Sequence, residues 1–203
     1  CDKNGWELKL SAIDWDAKDA LLAQGNINCI WNGFTMEGRE DGYTFSDPYM
    51  LNEQVIVVKA GSDISDFAGL SGKTVMTQVD SAALDVLEGD QAELAATFKG
   101  GAAQTIGDYN NAFMQLDSGM IDAVACDLSI AQYQIAANPD KYVQLPTALS
   151  TEHYAVGFKK GDTELAQKVT ETLKQLDADG TVKQLCEKYA SYGISYDNWV
   201  LGK

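Results

Sequence analysis

Arginine is almost absent from this chain: Arg39 is the only one. Histidine also occurs once, as His153, and there are three prolines. Fifteen basic residues stand against 30 acidic ones, for a formal charge of −15. That balance argues against nucleic acid or an anionic membrane as partner, because both would repel the chain. It selects no ligand, since acidic surfaces mostly serve solubility. No apolar run is long enough to cross a bilayer as a helix, and no signal peptide is visible. The four cysteines, Cys1, Cys29, Cys126 and Cys186, lack metal-ligand spacing, so with one histidine neither a zinc site nor any other cofactor is expected. Cys29 and Cys126 lie in apolar runs and read as buried thiols. A leading cysteine suits a lipid anchor, yet Cys1–Asn4 reads as the last turn of a helix closed by Gly5.

What is present is a regular alternation of strand and helix over 203 residues, enough for one large domain or two small lobes. Trp6 to Ile13 alternates apolar and polar residues and predicts a strand. A helix over Ala17–Ala23 follows, capped by Asp14 or Asp16 and stopped by Gly25. Ile27–Trp31 and the β-branched run Val55–Val58 predict buried strands. Phe67–Lys73 reads as a short helix and turn, and Thr74–Gln78 as a strand. Helices are predicted over Ala82–Glu88, capped by Asp80-Ser81, and over Tyr109–Leu116, capped by Asp108. Strand Ile121–Cys126 and helix Ser129–Ala137 follow. Glu93–Phe98 fits either helix or strand. Short strands are predicted at Tyr142–Leu145 and Tyr154–Phe158. Thr163–Ala178 has Leu165, Val169, Leu173 and Leu176 on one helical face. Val182–Ala190 is a final helix, before an aromatic, irregular tail, Ser191–Lys203. The pattern predicts an α/β fold with mostly parallel sheets.

The unit around Leu21–Gly33 echoes that around Leu116–Asp127: helix, glycine stop, apolar strand. Aligned on the glycine, Gly33 falls opposite Asp127. The echo predicts two lobes on one plan, with ligand held beyond the strand ends on facing walls of a cleft. Three features then suit one zwitterion. Arg39 offers a planar fork and Thr35 a hydroxyl for a carboxylate, and Gly33 lets a ligand approach the backbone. The strand-to-helix turn Gln78–Ala82 offers N–H groups at Ser81 and Ala82 to the same anion. Asp127 and the Gly33 carbonyl suit an ammonium. Singly, each has a plainer reading: Arg39 as a surface residue beside Glu37, Glu40 and Asp41, Asp127 and Ser81 as helix caps, Trp15 as core.

Together these segments resemble the extracellular solute-binding proteins of polar amino-acid ABC importers, of the type II periplasmic-binding-protein fold. The likeness runs over nearly the whole chain. It is carried by Asp14-Trp15-Asp16, Gly25–Cys29, Asn32–Arg39, Phe45–Tyr49, Leu70–Val75, Gly119–Asp127, Tyr154–Gly161 and Asp179-Gly180. It implies a two-lobed α/β protein, each lobe a mostly parallel sheet flanked by helices. Lobe 1 would be residues 1–53 plus 154–203 and lobe 2 residues 54–153, with hinges near Glu53–Val55 and Thr151–Tyr154. It implies that Arg39, Thr35, Ser81 and Ala82 hold the ligand carboxylate, and that Asp127 and Gly33 hold the ammonium. Trp15 would pack on the ligand side chain, and Asn32 and Gln78 would contact the ligand.

The partners implied are an amino acid and an ABC transporter permease, outside the cytoplasm, in the periplasm or lipid-anchored at the outer face of the cell membrane. The chain departs from the family in two ways. The loop between Thr35 and Arg39 is one residue shorter than is usual. The strand and helix that precede the segment matching Cys1 are missing, so a further N-terminal segment or a swapped chain is expected to complete lobe 1. No enzyme activity is expected. The alternatives are a dehydratase-like hydro-lyase on the same fold, using Asp80 or Asp14, and the sensing module of a receptor.

Overall fold

The computed structural model describes residues 1–202; Lys203, the end of the expected irregular tail, lies outside them. In chain order the elements are α1 (Lys18–Gln24), β1 (Ile30–Thr35), β2 (Tyr43–Phe45), β3 (Met50–Lys59), β4 (Val75–Gln78), α2 (Ala82–Glu88), α3 (Ala92–Ala95) and β5 (Gln104–Ile106). Then come α4 (Tyr109–Ser118), β6 (Ala123–Asp127), α5 (Leu128–Ala137), β7 (Tyr142–Gln144), β8 (Ser150–Lys159), α6 (Thr163–Ala178) and α7 (Thr181–Lys188). The fold is mixed α/β, as the alternation predicts. The chain divides into two units, the boundaries falling within β3 and β8. Unit 1 holds Cys1–Leu51, His153–Lys188 and the residues from Ser195; unit 2 holds Asn52–Glu152 and Tyr189–Ile194.

In unit 2, β4 lies between β5 and β6 and is parallel to both. β3 runs antiparallel to β6 and to β7. In unit 1, β1 and β2 both run antiparallel to β8. Parallel pairing thus belongs to β4 and its helix-linked neighbours, a narrower share than helix–strand alternation alone predicts. Parallel neighbours need crossover connections, which α2, α3 and α4 supply between β4, β5 and β6.

β3 explains its own composition. Ile56 and Val58 pack with Leu70, Val75, Leu87 and Phe98 on one side. Val55 and Val57 pack with Phe113, Leu116 and Tyr142 on the other. A strand covered on both faces has no polar face, hence the unbroken β-branched run. In unit 1, Val156 and Phe158 of β8 pack on Val169 and Leu173 of α6, and Trp199 joins them. Leu22, Ile30 and Phe34 form a separate cluster, flanked by Trp15, Tyr43 and Phe45.

Three local expectations fail. Trp6–Ile13 is not a strand: no partner pairs with it among the described residues, and Trp6, Leu8 and Leu10 are exposed. Alternation marks a strand only where a neighbour takes up its backbone hydrogen bonds. Neither Asp14 nor Asp16 caps α1 through its side chain; a 3-10 turn, Trp15–Ala17, leads into the helix instead. The strand expected at Ile27–Trp31 starts later, at Ile30, because the Asn26 and Ile27 amides turn back to the Leu21 carbonyl and finish α1. Gly33 and Thr35 therefore lie inside β1. Elsewhere Glu93–Phe98 begins as a short helix, α3, and α6 matches its expected limits.

Gly157 of β8 decides where Phe34 can sit. A Cβ at Gly157 would lie 2.7 Å from Phe34 Cδ1 and 2.8 Å from Cε1. Phe34 is 1% exposed and touches three other rings, so it has little room to retreat. Gly157→Ala is expected to lower the unfolding free energy in urea by about 1–3 kcal/mol, the usual cost of overpacking. A loss under about 0.5 kcal/mol, the scale of an ordinary surface change, would show that the ring moves aside freely.

Candidate functional site

The predicted residues fall in both units. In unit 1, Thr35 ends β1 and is 4% exposed. The chain then folds into a tight loop. The Arg39 amide donates to the Met36 carbonyl at 3.1 Å, and the Met36 amide donates to the His153 carbonyl at 3.0 Å. The Arg39 guanidinium lies 5.3 Å above the Phe34 ring and donates to the Thr35 carbonyl at 3.4 Å. The Glu37 carboxylate accepts the His153 amide at 3.0 Å and meets His153 Nδ1 at 2.7 Å. Arg39 is half-buried on an aromatic face, where a cation gains about 0.5–1 kcal/mol and keeps its donors at its edge.

Trp15 meets the same ring, edge-on, at 5.6 Å and 80°. Lys18 Nζ stands 5.0 Å from the Trp15 ring, and Lys18 is only 4% exposed. Phe34 thus brings Trp15 and Arg39 together, although sequence reasoning assigned it no role; its place between Gly33 and Thr35 was the available signal. Gly33 has φ +84, and a Cβ there would come within 3.0 Å of the Tyr154 ring. The position is reserved for glycine by both backbone and space. The Trp31 side chain and the Gly33 backbone face the Tyr49 phenol. Burial pushes that phenol up to about 12, so Tyr49 stays neutral and anchors the Gly33 segment. Asn32, next in β1, is exposed.

In unit 2, β4 leads through Asp80 into α2. Asp80 has φ 53, the one left-handed non-glycine backbone among the described residues, a conformation costly for most side chains. Ser81 Oγ accepts the Leu84 amide at 3.2 Å and lies 3.1 Å from Thr77 Oγ1. The N-cap reading of Ser81 is therefore observed. Ala82 is buried beside it. Gln78 donates through Nε2 to the Gly107 carbonyl at 2.9 Å. Thr77 Oγ1 also faces the Tyr109 hydroxyl at 3.4 Å.

Asp127 ends β6 but does not cap α5 through its side chain. It lies opposite Gln54 across the β3–β6 ladder. Its Oδ1 accepts from Gln54 Nε2 at 2.9 Å and from Asn52 Nδ2 at 3.1 Å. The same two nitrogens donate to Glu152 Oε1, at 2.7 and 2.8 Å. Asn52, Gln54 and Glu152 are at most 4% exposed. Tyr109 and Cys126 are both raised well above their usual values, first by burial and then by the negative charge of Asp127. Sequence reasoning missed these three network residues. Asn52 and Gln54 stand two apart, hence on one face of a strand, directly before an apolar run, and that spacing was the signal.

Other surroundings offer less. A cavity of about 320 Å³ in unit 2 is lined by Tyr109, Asn110, Ser129, Ile130, Tyr133 and Gln134, none of them charged. Among the described residues no group of three or more His, Cys, Asp or Glu could hold a metal. The cysteines are unbridged; Cys126 and Cys186 are buried, Cys29 is half-buried and Cys1 is exposed.

The chain matches the family of bacterial extracellular solute-binding proteins, family 3, over residues 1–192. It is 25% identical to the L-cystine-binding protein TcyA of Bacillus subtilis, over 94% of this chain and 69% of that protein. It is 26% identical to a probable histidine-binding protein of Neisseria gonorrhoeae, over 86% of this chain and 65% of that one. The chain thus spans about two thirds of the length of these curated relatives. A histidine-bound substrate-binding protein of an ABC uptake transporter from Streptococcus pneumoniae superposes with a TM-score of 0.90 at 31% identity, over 96% of this chain and 80% of that one. An ancestral arginine-binding protein bound to arginine does so at 0.82 and 30% identity, covering 93% and 82% of the two chains. With the family match spanning both units, the chain belongs to the bacterial extracellular solute-binding proteins of family 3.

Proposed function

We propose that this protein binds a polar α-amino acid outside the cytoplasm and delivers it, chemically unchanged, to an ABC importer. The observation that carries the reading is the state of Asp127. A carboxylate at the start of α5 that leaves the helix uncapped, and is gripped on one oxygen by two buried amides, is positioned for a cation. The counterpart is Arg39, laid on Phe34, with Glu37 engaged by His153. In this reading Arg39 and Thr35 take the ligand carboxylate, with Ser81 and the Ala82 amide. Asp127 takes the ammonium, with the Gly33 carbonyl. Trp15 meets the side chain, and Asn32 and Gln78 complete the contacts. The named ligands of the relatives, cystine, histidine and arginine, are all polar amino acids. Among the described residues no helix is long and apolar enough to cross a membrane. No residue is assigned a catalytic role.

Desolvation makes each ion pair count for more as ligand excludes water. Arg39→Ala is expected to weaken binding by about 30-fold to several-thousand-fold, the 2–5 kcal/mol of a truncated buried charge pair. Calorimetric titration with L-arginine, L-histidine, L-glutamine and L-cystine measures this, and unchanged affinity would refute the carboxylate seat. Asp127→Asn keeps an oxygen for the two amides but removes the charge. It is expected to lower affinity at least about tenfold, equivalent to 1.4 kcal/mol, with little change in melting temperature. An equal loss of affinity for the α-hydroxy analogue of the best ligand, which has no ammonium, would argue against the assignment of Asp127.

A further inference from the structure

Glu152 is a buried carboxylate with no part in the ligand contacts proposed above. Asn52 and Gln54 each present one amide nitrogen, and each nitrogen carries two N–H groups. The four distances pair those two nitrogens with two oxygens: Asp127 Oδ1 at 3.1 and 2.9 Å, and Glu152 Oε1 at 2.8 and 2.7 Å. The result is a closed quartet in which donor and acceptor alternate. The shorter contacts are those to Glu152.

Gln54 adds an independent observation. Its Oε1 is buried and has no hydrogen-bond partner, although Gln54 is 0% exposed. A buried amide left to its own preference turns its oxygen toward a donor. Here the nitrogen is held toward two acceptors while the oxygen goes unpaired. Ionised carboxylates accept only, so a pair of them imposes this orientation. One carboxylate alone would leave one N–H of each amide without its acceptor, and the amides would be open to rotation.

We infer that Glu152 is a positioning residue for ammonium recognition: by holding one N–H of each amide it aims the other at Asp127. The inference rests on the reading that Asp127 receives the ligand ammonium. Glu152 would thus act on affinity through Asp127 without touching ligand.

The test is a set of coupled substitutions, titrated calorimetrically with L-arginine, L-histidine, L-glutamine and L-cystine. Glu152→Leu, which removes the acceptor for one N–H of each amide, is expected to weaken the best of these ligands about tenfold. The same change is expected to cost about tenfold on a Thr35→Val background, where the sites act independently, and less than about twofold on Asp127→Asn, where they act as one. An effect below twofold in the otherwise native chain, or an undiminished tenfold loss on Asp127→Asn, would overturn the inference. If Glu152→Leu does not fold, Glu152→Asp, which draws the acceptor back from both amides, enters the same cycle with the same criteria. If the unmodified protein binds none of the four, the amino-acid reading fails instead.

Discussion

The register of β3 against β6 is the constraint on which unit 2 depends. Val55, Ile56, Val57 and Val58 are all apolar and all buried. A strand apolar on both faces can slip by one residue and still bury its side chains, so its own pattern specifies register weakly. Asn52 and Gln54 remove that freedom. Only in the observed register does Gln54 stand opposite Asp127, with both amides against carboxylates. Any slip would strand buried amides without acceptors, at a cost of about 1–3 kcal/mol each. The residues that hold the proposed ammonium seat are therefore also the ones that pin the sheet.

Unit 1 is built around a different economy of space. Phe34 occupies volume that a side chain at position 157 would need, and β8 supplies glycine there. The ring then serves three neighbours, Trp15, Tyr43 and Phe45, and carries Arg39 on its face. The loop bearing Arg39 is tied down by Glu37 and His153. The single arginine of the chain thus rests on an apolar platform, while Glu37, two residues before it, is engaged by His153. A guanidinium held this way loses little freedom when it meets a planar anion.

Local rules carried much of the fold. Helix α6 was legible because an apolar face recurs at helical spacing between a loop and Asp179-Gly180. Ser81 and Asp108 were legible as caps because a short polar side chain before a helix has one favourable use, and both accept the expected amide. Asp127 obeys the same local pattern and does something else, since Asn52 and Gln54, more than seventy residues away in sequence, compete for its oxygen. Trp6–Ile13 failed for the converse reason: its alternation was real, but no strand meets it among the described residues.

By itself the sequence determined the order of strands and helices, the family, and the opposite charges of Arg39 and Asp127, because each depends on neighbours along the chain or on residue identity. The tertiary structure alone decided that Phe34 carries Arg39, that Gly157 makes room for it, and that Glu152 shares donors with Asp127. Those are contacts between distant segments. Their partners are chosen by strand register and by space, and neither is written in any short stretch of residues.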